Sequence, residues 1–105
     1  MEFTLNENTK RLYVGNMLST LPMLRARMGL TQSELAGRLG CTRQTLTAME
    51  SGRRAMPWTT YLALCFIFDG CEQTRPLLEL YDICPELVLG YLRFDGRSGS
   101  NERSG

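Results

Sequence analysis

The 105-residue chain contains no histidine, and no two of its four cysteines have the spacing C-x-x-C. The cysteines are Cys41, Cys65, Cys71 and Cys84. Without histidine or paired cysteines, the usual zinc-ligand patterns are absent, and we expect no metal site. The chain also shows no secretory signal. We therefore expect no disulfide framework and a reduced, cytoplasmic protein, with Cys65 simply packing inside its apolar run.

Two further absences narrow the class of protein. No apolar run approaches the length of about 18 residues that a membrane-spanning helix needs, so we expect no membrane partner. The sequence has no glycine-rich phosphate loop and no paired carboxylates in a pocket-forming pattern. With histidine also missing, nothing supplies a catalytic constellation, and we expect neither an enzyme nor a bound cofactor.

The net charge of the chain is small, but its charged residues are unevenly distributed. The net charge is only +1, which alone does not suggest a nucleic-acid partner. Residues 10–54 contain eight basic and two acidic residues, whereas residues 55–95 contain two basic and six acidic residues. A basic half and an acidic half indicate one surface for phosphates and another for a different partner.

Residues 30–54 have the pattern of two short helices joined by a tight turn. Thr31 and Thr42 are placed to cap helices, Glu34 completes a capping box, and Gly40 and Gly52 are placed to end the helices. The inward apolar residues are Leu35, Ala36 and Leu39 in the first helix and Leu46 and Met49 in the second. Helices of about eight residues are not stable alone, so both must pack on a larger body. The pattern predicts a helix-turn-helix, whose second helix presents an outward face.

The outward face of the second helix carries candidate base-reading residues. Arginine can bond both major-groove acceptors of guanine, and glutamine can bond the matching pair on adenine. Arg43 and Gln44 stand at the start of the helix, which is the end that enters the groove. Thr47 and Ala48 lie one turn later and can offer a methyl group to thymine.

Many residues at fixed spacing support a family resemblance. They are Leu24-Arg25, Gly29-Leu30-Thr31-Gln32, Glu34-Leu35-Ala36, Leu39-Gly40, Arg43-Gln44-Thr45-Leu46, Glu50-Ser51-Gly52-Arg53-Arg54 and Pro57. With them, residues 21–68 resemble the DNA-binding domain of phage repressors and Cro proteins, the XRE-type helix-turn-helix family. The resemblance implies an all-α, compact five-helix domain. It also implies a transcriptional regulator, acting as a repressor, that binds a palindromic operator in double-stranded DNA as a homodimer.

The resemblance also assigns roles to single residues. It implies an internal ion pair between Arg25 and Glu50, and a contact of Gln32 with the DNA backbone. Where the family often has a longer polar side chain, this sequence has Ala48, so we expect part of the specificity to come from DNA shape. The remaining expected phosphate contacts are Thr42, Thr45, Arg53 and Arg54.

The chain divides into four expected segments. Residues 1–16 form an N-terminal arm, and residues 17–70 form the helix-turn-helix domain. Its first helix begins at Ser19 or Thr20, with Pro22 in the first turn; a start as early as Leu12 would require a kink at Pro22. The fourth helix begins near Pro57. Residues 71–95 form a dimerisation or packing segment, and residues 96–105 form a flexible tail.

The C-terminal third is apolar but ambiguous in structure. Residues 75–83 predict a fifth helix, whereas residues 85–94 allow a helix or a strand. The candidates for the dimer interface are Phe66, Leu77, Leu80, Tyr81, Leu87 and Tyr91. Packing within one chain is the alternative for these residues. A second hypothesis keeps the DNA-binding domain and uses this acidic, apolar half to bind another protein, as an antitoxin does.

Overall fold

The computed structural model of the protein describes residues 5–93, and every regular element in that range is an α-helix. The helices are α1 Glu7–Met28, α2 Gln32–Leu39, α3 Arg43–Glu50, α4 Trp58–Asp69, α5 Arg75–Leu80 and α6 Glu86–Arg93. The expected all-α class is confirmed, but the count of five is wrong, because α6 occupies the segment whose structure the sequence left open. The expected flexible tail, residues 96–105, lies outside the described residues.

The first helix is much longer than the sequence predicted. Helix α1 begins at Glu7, and the Asn6 side chain caps it by accepting a hydrogen bond of 2.8 Å from the backbone N–H of Thr9. A start at Ser19 or Thr20 is therefore wrong. Residues 7–16 of the expected arm are helical, and residues 1–4 of that arm lie outside the described range.

Proline is tolerated inside α1 because of where it stands. Pro22 has no N–H, so the carbonyl of Leu18 loses its helical donor. The Pro22 side chain is exposed, which places that carbonyl on the solvent side, where water can bond it. Just before the proline, the hydroxyls of Ser19 and Thr20 donate to the carbonyls of Gly15 and Asn16 at 3.0 and 2.9 Å. The hydroxyl residues Ser19 and Thr20 before Pro22 predict a helix start, but in the structure they lie inside α1.

One hydrophobic core joins all six helices. Helix α2 packs on α3 and α4, α1 packs on α3 and α4, and α5 packs on α4. The core residues are Met17, Leu21 and Leu24 of α1; Leu35 and Ala36 of α2; Leu46 and Met49 of α3; Tyr61, Leu64, Cys65 and Phe68 of α4; Leu78 of α5; Val88 of α6; and Met56, Ile83 and Cys84 of the connections. The two short helices of the predicted helix-turn-helix are thus stabilised by α1 and α4.

Directional bonds hold the segment between α5 and α6 against this core. The buried Tyr61 hydroxyl donates to the carbonyl of Ile83 at 2.8 Å, and the Asn16 side chain donates to the carbonyl of Asp82 at 2.7 Å. Cys65 packs in the core, as expected from its apolar run. A hydrogen bond with the Cys84 sulfur, together with burial, raises the pKa of the Cys65 thiol far above its usual range, which keeps this thiol protonated.

Replacing Tyr61 by phenylalanine tests the bond to Ile83. The substitution keeps the ring but leaves a buried carbonyl without a donor, so we expect the free energy of unfolding to fall by about 1–3 kcal/mol. Urea denaturation followed by circular dichroism measures this loss. The matched control is Tyr81→Phe, because the Tyr81 ring is exposed and the change should stay within about 0.5 kcal/mol. Equal effects of the two substitutions would contradict the assignment.

Candidate nucleic-acid interface

The turn between α2 and α3 sets the direction of α3. Gly40 ends α2 with φ at 76°, a left-handed conformation that glycine adopts without strain. The N–H of Cys41 then bonds the carbonyl of Ala36 at 3.0 Å. Thr42 caps α3, since its hydroxyl accepts a 3.1 Å hydrogen bond from the N–H of Thr45. The bounds of α2 and α3 follow from these local signals.

A concave surface of about 410 Å³ is formed by α3 and the loop that follows it. Its lining residues are Arg43, Gln44, Thr45, Thr47, Ala48, Arg53 and Arg54. All four predicted base readers and three of the predicted phosphate contacts therefore stand around one depression. Two of the predicted phosphate contacts, Gln32 and Thr42, are not part of this lining. We call this surface the α3 concavity.

The side chains at the start of α3 are available to a ligand. Arg43 and Gln44 are exposed, and neither makes a side-chain hydrogen bond within residues 5–93. Thr45 accepts a 3.0 Å bond from the Thr42 hydroxyl and retains its own proton for another acceptor. This end of the helix therefore presents a cation, an amide and a hydroxyl donor to whatever enters the concavity.

The loop after α3 holds its two arginines in a defined position. Gly52 has φ at 82°, which lets the chain reverse. The N–H groups of Arg53 and Arg54 both bond the carbonyl of Ala48, at 2.9 and 3.2 Å. The Arg53 side chain is further oriented by a 3.0 Å bond from its Nε to the Ser51 hydroxyl. Two positive charges thus stand at the rim of the α3 concavity.

Gln32, the first residue of α2, is tied to α3 through both ends of its side-chain amide. Its Nε2 donates to Glu50 Oε1 at 2.8 Å, and its Oε1 accepts from the Thr47 hydroxyl at 3.3 Å. A second proton on Nε2 is left for a phosphate oxygen. These two bonds could not be predicted from the sequence, because the partners are 18 and 15 residues away and no spacing rule connects them.

Arg25 and Glu50 meet inside the domain. Arg25 Nε lies 3.3 Å from Glu50 Oε2, and the two side chains are 20% and 10% exposed. The Arg25 guanidinium also bonds the carbonyl of Leu30 at 3.3 Å, in the turn before α2. One carboxylate therefore connects α1, α2 and α3.

The N-terminus of α2 is fixed by a complete capping box. The Thr31 N–H donates to Glu34 Oε1 at 2.9 Å, and the Glu34 N–H donates to the Thr31 hydroxyl at 3.1 Å. The hydrogen bond from the Thr31 backbone N–H lowers the pKa of Glu34. A lowered folded-state pKa means that this contribution to stability is present at neutral pH and is lost as pH falls through that pKa.

The dimer candidates fall into two groups. Leu77 is half-buried and packs against the core, which leaves only part of its side chain open to a partner. The other five, Phe66, Leu80, Tyr81, Leu87 and Tyr91, are exposed. Phe66 is 81% exposed and borders a groove of about 250 Å³ between α4 and α6, which Leu62, Leu89 and Leu92 also line.

Two other site classes are absent from the described part of the chain. Within residues 5–93, no three acidic or cysteine side chains come together in a way that could hold a metal ion. In the same range, no helix is both long enough and apolar enough to cross a membrane.

A sequence profile of the helix-turn-helix domain matches residues 19–80. The chain belongs to the helix-turn-helix domain family. Part of it is similar to a Methanothermobacter thermautotrophicus protein named as an uncharacterized HTH-type transcriptional regulator, with 62% identity over 29 residues. The match covers 28% of this chain and 42% of that protein, which is less than half of its length. No solved structure matches the chain.

Removing the Arg25 guanidinium should destabilise this helix-turn-helix domain. In Arg25→Met the mostly buried Glu50 carboxylate loses its cation, so we expect the free energy of unfolding to fall by about 3 kcal/mol. Chemical denaturation of both proteins measures the difference. The control is Arg93→Met, which breaks exposed ion pairs with Asp69 and Glu86 and should cost less than about 1 kcal/mol. A loss of similar size in both variants would show that the Arg25–Glu50 pair adds no particular stability.

Proposed function

We propose that the protein is a sequence-specific DNA-binding transcriptional regulator of the phage-repressor (XRE) type, acting as a repressor. The observation that carries this proposal is the α3 concavity, in which the exposed Arg43 and Gln44 side chains stand beside two loop arginines. Membership of the helix-turn-helix family supports the same function. The similar archaeal protein named as a transcriptional regulator is consistent with it.

In the proposed complex α3 lies in the major groove. Arg43 bonds guanine O6 and N7, Gln44 bonds adenine N6 and N7, and Thr47 and Ala48 contact thymine methyl groups. The phosphate contacts are Gln32, Thr42, Thr45, Arg53 and Arg54. They set the register of α3 on the duplex and carry no sequence information themselves. The fixed backbone of the loop after α3 favours this role for the two arginines, because a rigid loop loses little entropy on binding.

Selection from random duplexes, followed by sequencing, tests base reading by Arg43. The wild type should enrich a defined sequence. Arg43→Ala should lose the preference for guanine at one position in each half-site, at a cost of about 1–3 kcal/mol, because a bidentate contact is removed. The matched control is Arg27→Ala, which removes an exposed arginine of α1 and should leave the enriched sequence unchanged. If the wild type enriches nothing and binding only follows salt concentration, the α3 concavity is a non-specific phosphate surface.

The proposed regulator binds its operator as a homodimer. Exposed apolar side chains on α4 and α6, Phe66 foremost, supply an association surface that is separate from the α3 concavity. Two copies joined there would present two α3 helices, and a spacing of about 34–36 Å would match one turn of DNA. The operator would then be palindromic, and repression would follow from blocking a promoter.

Sedimentation equilibrium tests the homodimer. Phe66→Asp places a charge at the centre of the proposed interface, so we expect the dimer of the wild type to dissociate and the affinity for a palindromic operator to fall at least tenfold. The control is Leu12→Asp, a change at an exposed leucine of α1 that should leave both properties unchanged. A wild type that is monomeric in the absence of DNA would favour the alternative function. In that function, the acidic and apolar surface of α5 and α6 binds another protein, as in an antitoxin.

A further inference from the structure

The Thr47 hydroxyl is already bonded within the protein. Thr47 lines the α3 concavity, but its Oγ1 donates its proton to Gln32 Oε1 on α2, at 3.3 Å. The polar atom of this side chain is therefore directed toward α2. Cβ also carries the Cγ2 methyl group, and this group is left to face a ligand in the concavity.

The orientation of the Gln32 amide is determined by charge. Gln32 Nε2 lies 2.8 Å from a carboxylate oxygen of Glu50, and a carbonyl oxygen in that place would repel the carboxylate. The amide nitrogen must therefore face Glu50, and the amide oxygen must face Thr47. Glu50 is itself held by Arg25 at 3.3 Å. The mostly buried ion pair thus fixes the Gln32 amide, and the Gln32 Oε1 atom becomes the acceptor beside the Thr47 hydroxyl.

Thr47 also has one apolar neighbour in the lining of the concavity. Ala48 is adjacent in α3 and offers only a methyl group. The major groove exposes one apolar group, the 5-methyl of thymine, so methyl groups on the protein read thymine by contact rather than by hydrogen bonding. Arg43 and Gln44, one turn earlier, remain the polar readers.

We propose that Gln32 is a positioning residue that engages the Thr47 hydroxyl and so makes the Thr47 methyl the reader of one thymine 5-methyl group in each half-site. The inference rests on the proposed function and refines it in two respects. It assigns Gln32 a part in specificity besides its phosphate contact. It also predicts that Thr47 discriminates thymine from cytosine or uracil through a methyl contact alone.

Deoxyuridine substitution tests the proposal on the full chain bound to its selected operator. Each thymine is replaced in turn by deoxyuridine, which removes only the 5-methyl group. For the wild type we expect one position per half-site at which the replacement weakens binding about fourfold, the effect of exposing one methyl group. Thr47→Ser keeps the hydroxyl and lacks the methyl, so its affinities for the thymine and deoxyuridine operators should be equal. Thr47→Val keeps a methyl and lacks the hydroxyl, so its difference in affinity between the two operators should persist.

A second pair of variants tests the positioning role of Gln32. Gln32→Leu frees the Thr47 hydroxyl to rotate, so the difference between thymine and deoxyuridine should shrink. Adding Thr47→Val should restore the difference, because both branches of valine are methyl groups and none needs orienting. General damage to the fold or a lost phosphate contact would not be rescued in this way. Thermal unfolding of each variant confirms that it is folded.

The remaining outcomes contradict the proposal. If Thr47→Ser leaves the methyl sensitivity of every thymine unchanged, the reading belongs to another side chain such as Ala48, and the inference is overturned while the proposed function stands. The same holds if the wild type enriches an operator that contains no methyl-sensitive thymine. A wild type that enriches no sequence overturns the inference and the proposed function together.

Discussion

The Glu50 carboxylate is the group on which the arrangement of the first three helices depends. It stands in the last turn of α3, accepts one bond from Arg25 of α1 and another from Gln32 of α2, and is only 10% exposed. A buried carboxylate is costly unless both its charge and its lone pairs are satisfied. Here one oxygen meets a cation and the other an amide. The angle between α3 and its supports is therefore set by directional bonds as well as by apolar packing.

The bonds that satisfy the Glu50 carboxylate extend from the interior of the domain to its surface. Helices of eight residues such as α2 and α3 have little stability alone, so their relative position must come from tertiary contacts. The amide of Gln32 is one such contact, and it extends from buried Glu50 to half-exposed Thr47. A change at the ion pair would thus alter stability and also shift a side chain in the α3 concavity. Under the proposed function, stability and recognition therefore depend on the same bonds.

Features encoded by neighbouring residues could be predicted from the sequence, and features that depend on distant partners could not. The ends of α2 and α3 follow from Thr31, Gly40 and Thr42, because caps and left-handed glycines act within one turn. The predicted start of α1 at Ser19 or Thr20 is wrong, because the missing N–H of Pro22 favours the first turn of a helix but does not require it. The exposed position of Pro22, which makes that loss tolerable, is a property of the packed structure. The two bonds of Gln32 likewise connect residues that only the fold brings together.

The apolar residues of α4 are divided between the core and the surface. Helix α4 buries Tyr61 and Phe68 against the core and leaves Phe66 in solvent, although α5 and α6 pack nearby. Packing among residues 5–93 therefore leaves part of this apolar surface exposed. Large apolar side chains left in solvent mark an interface more often than an accident of composition. Because this surface belongs to α4 and α6 and the α3 concavity to another part of the domain, the proposed dimer would leave the proposed base-reading side chains uncovered.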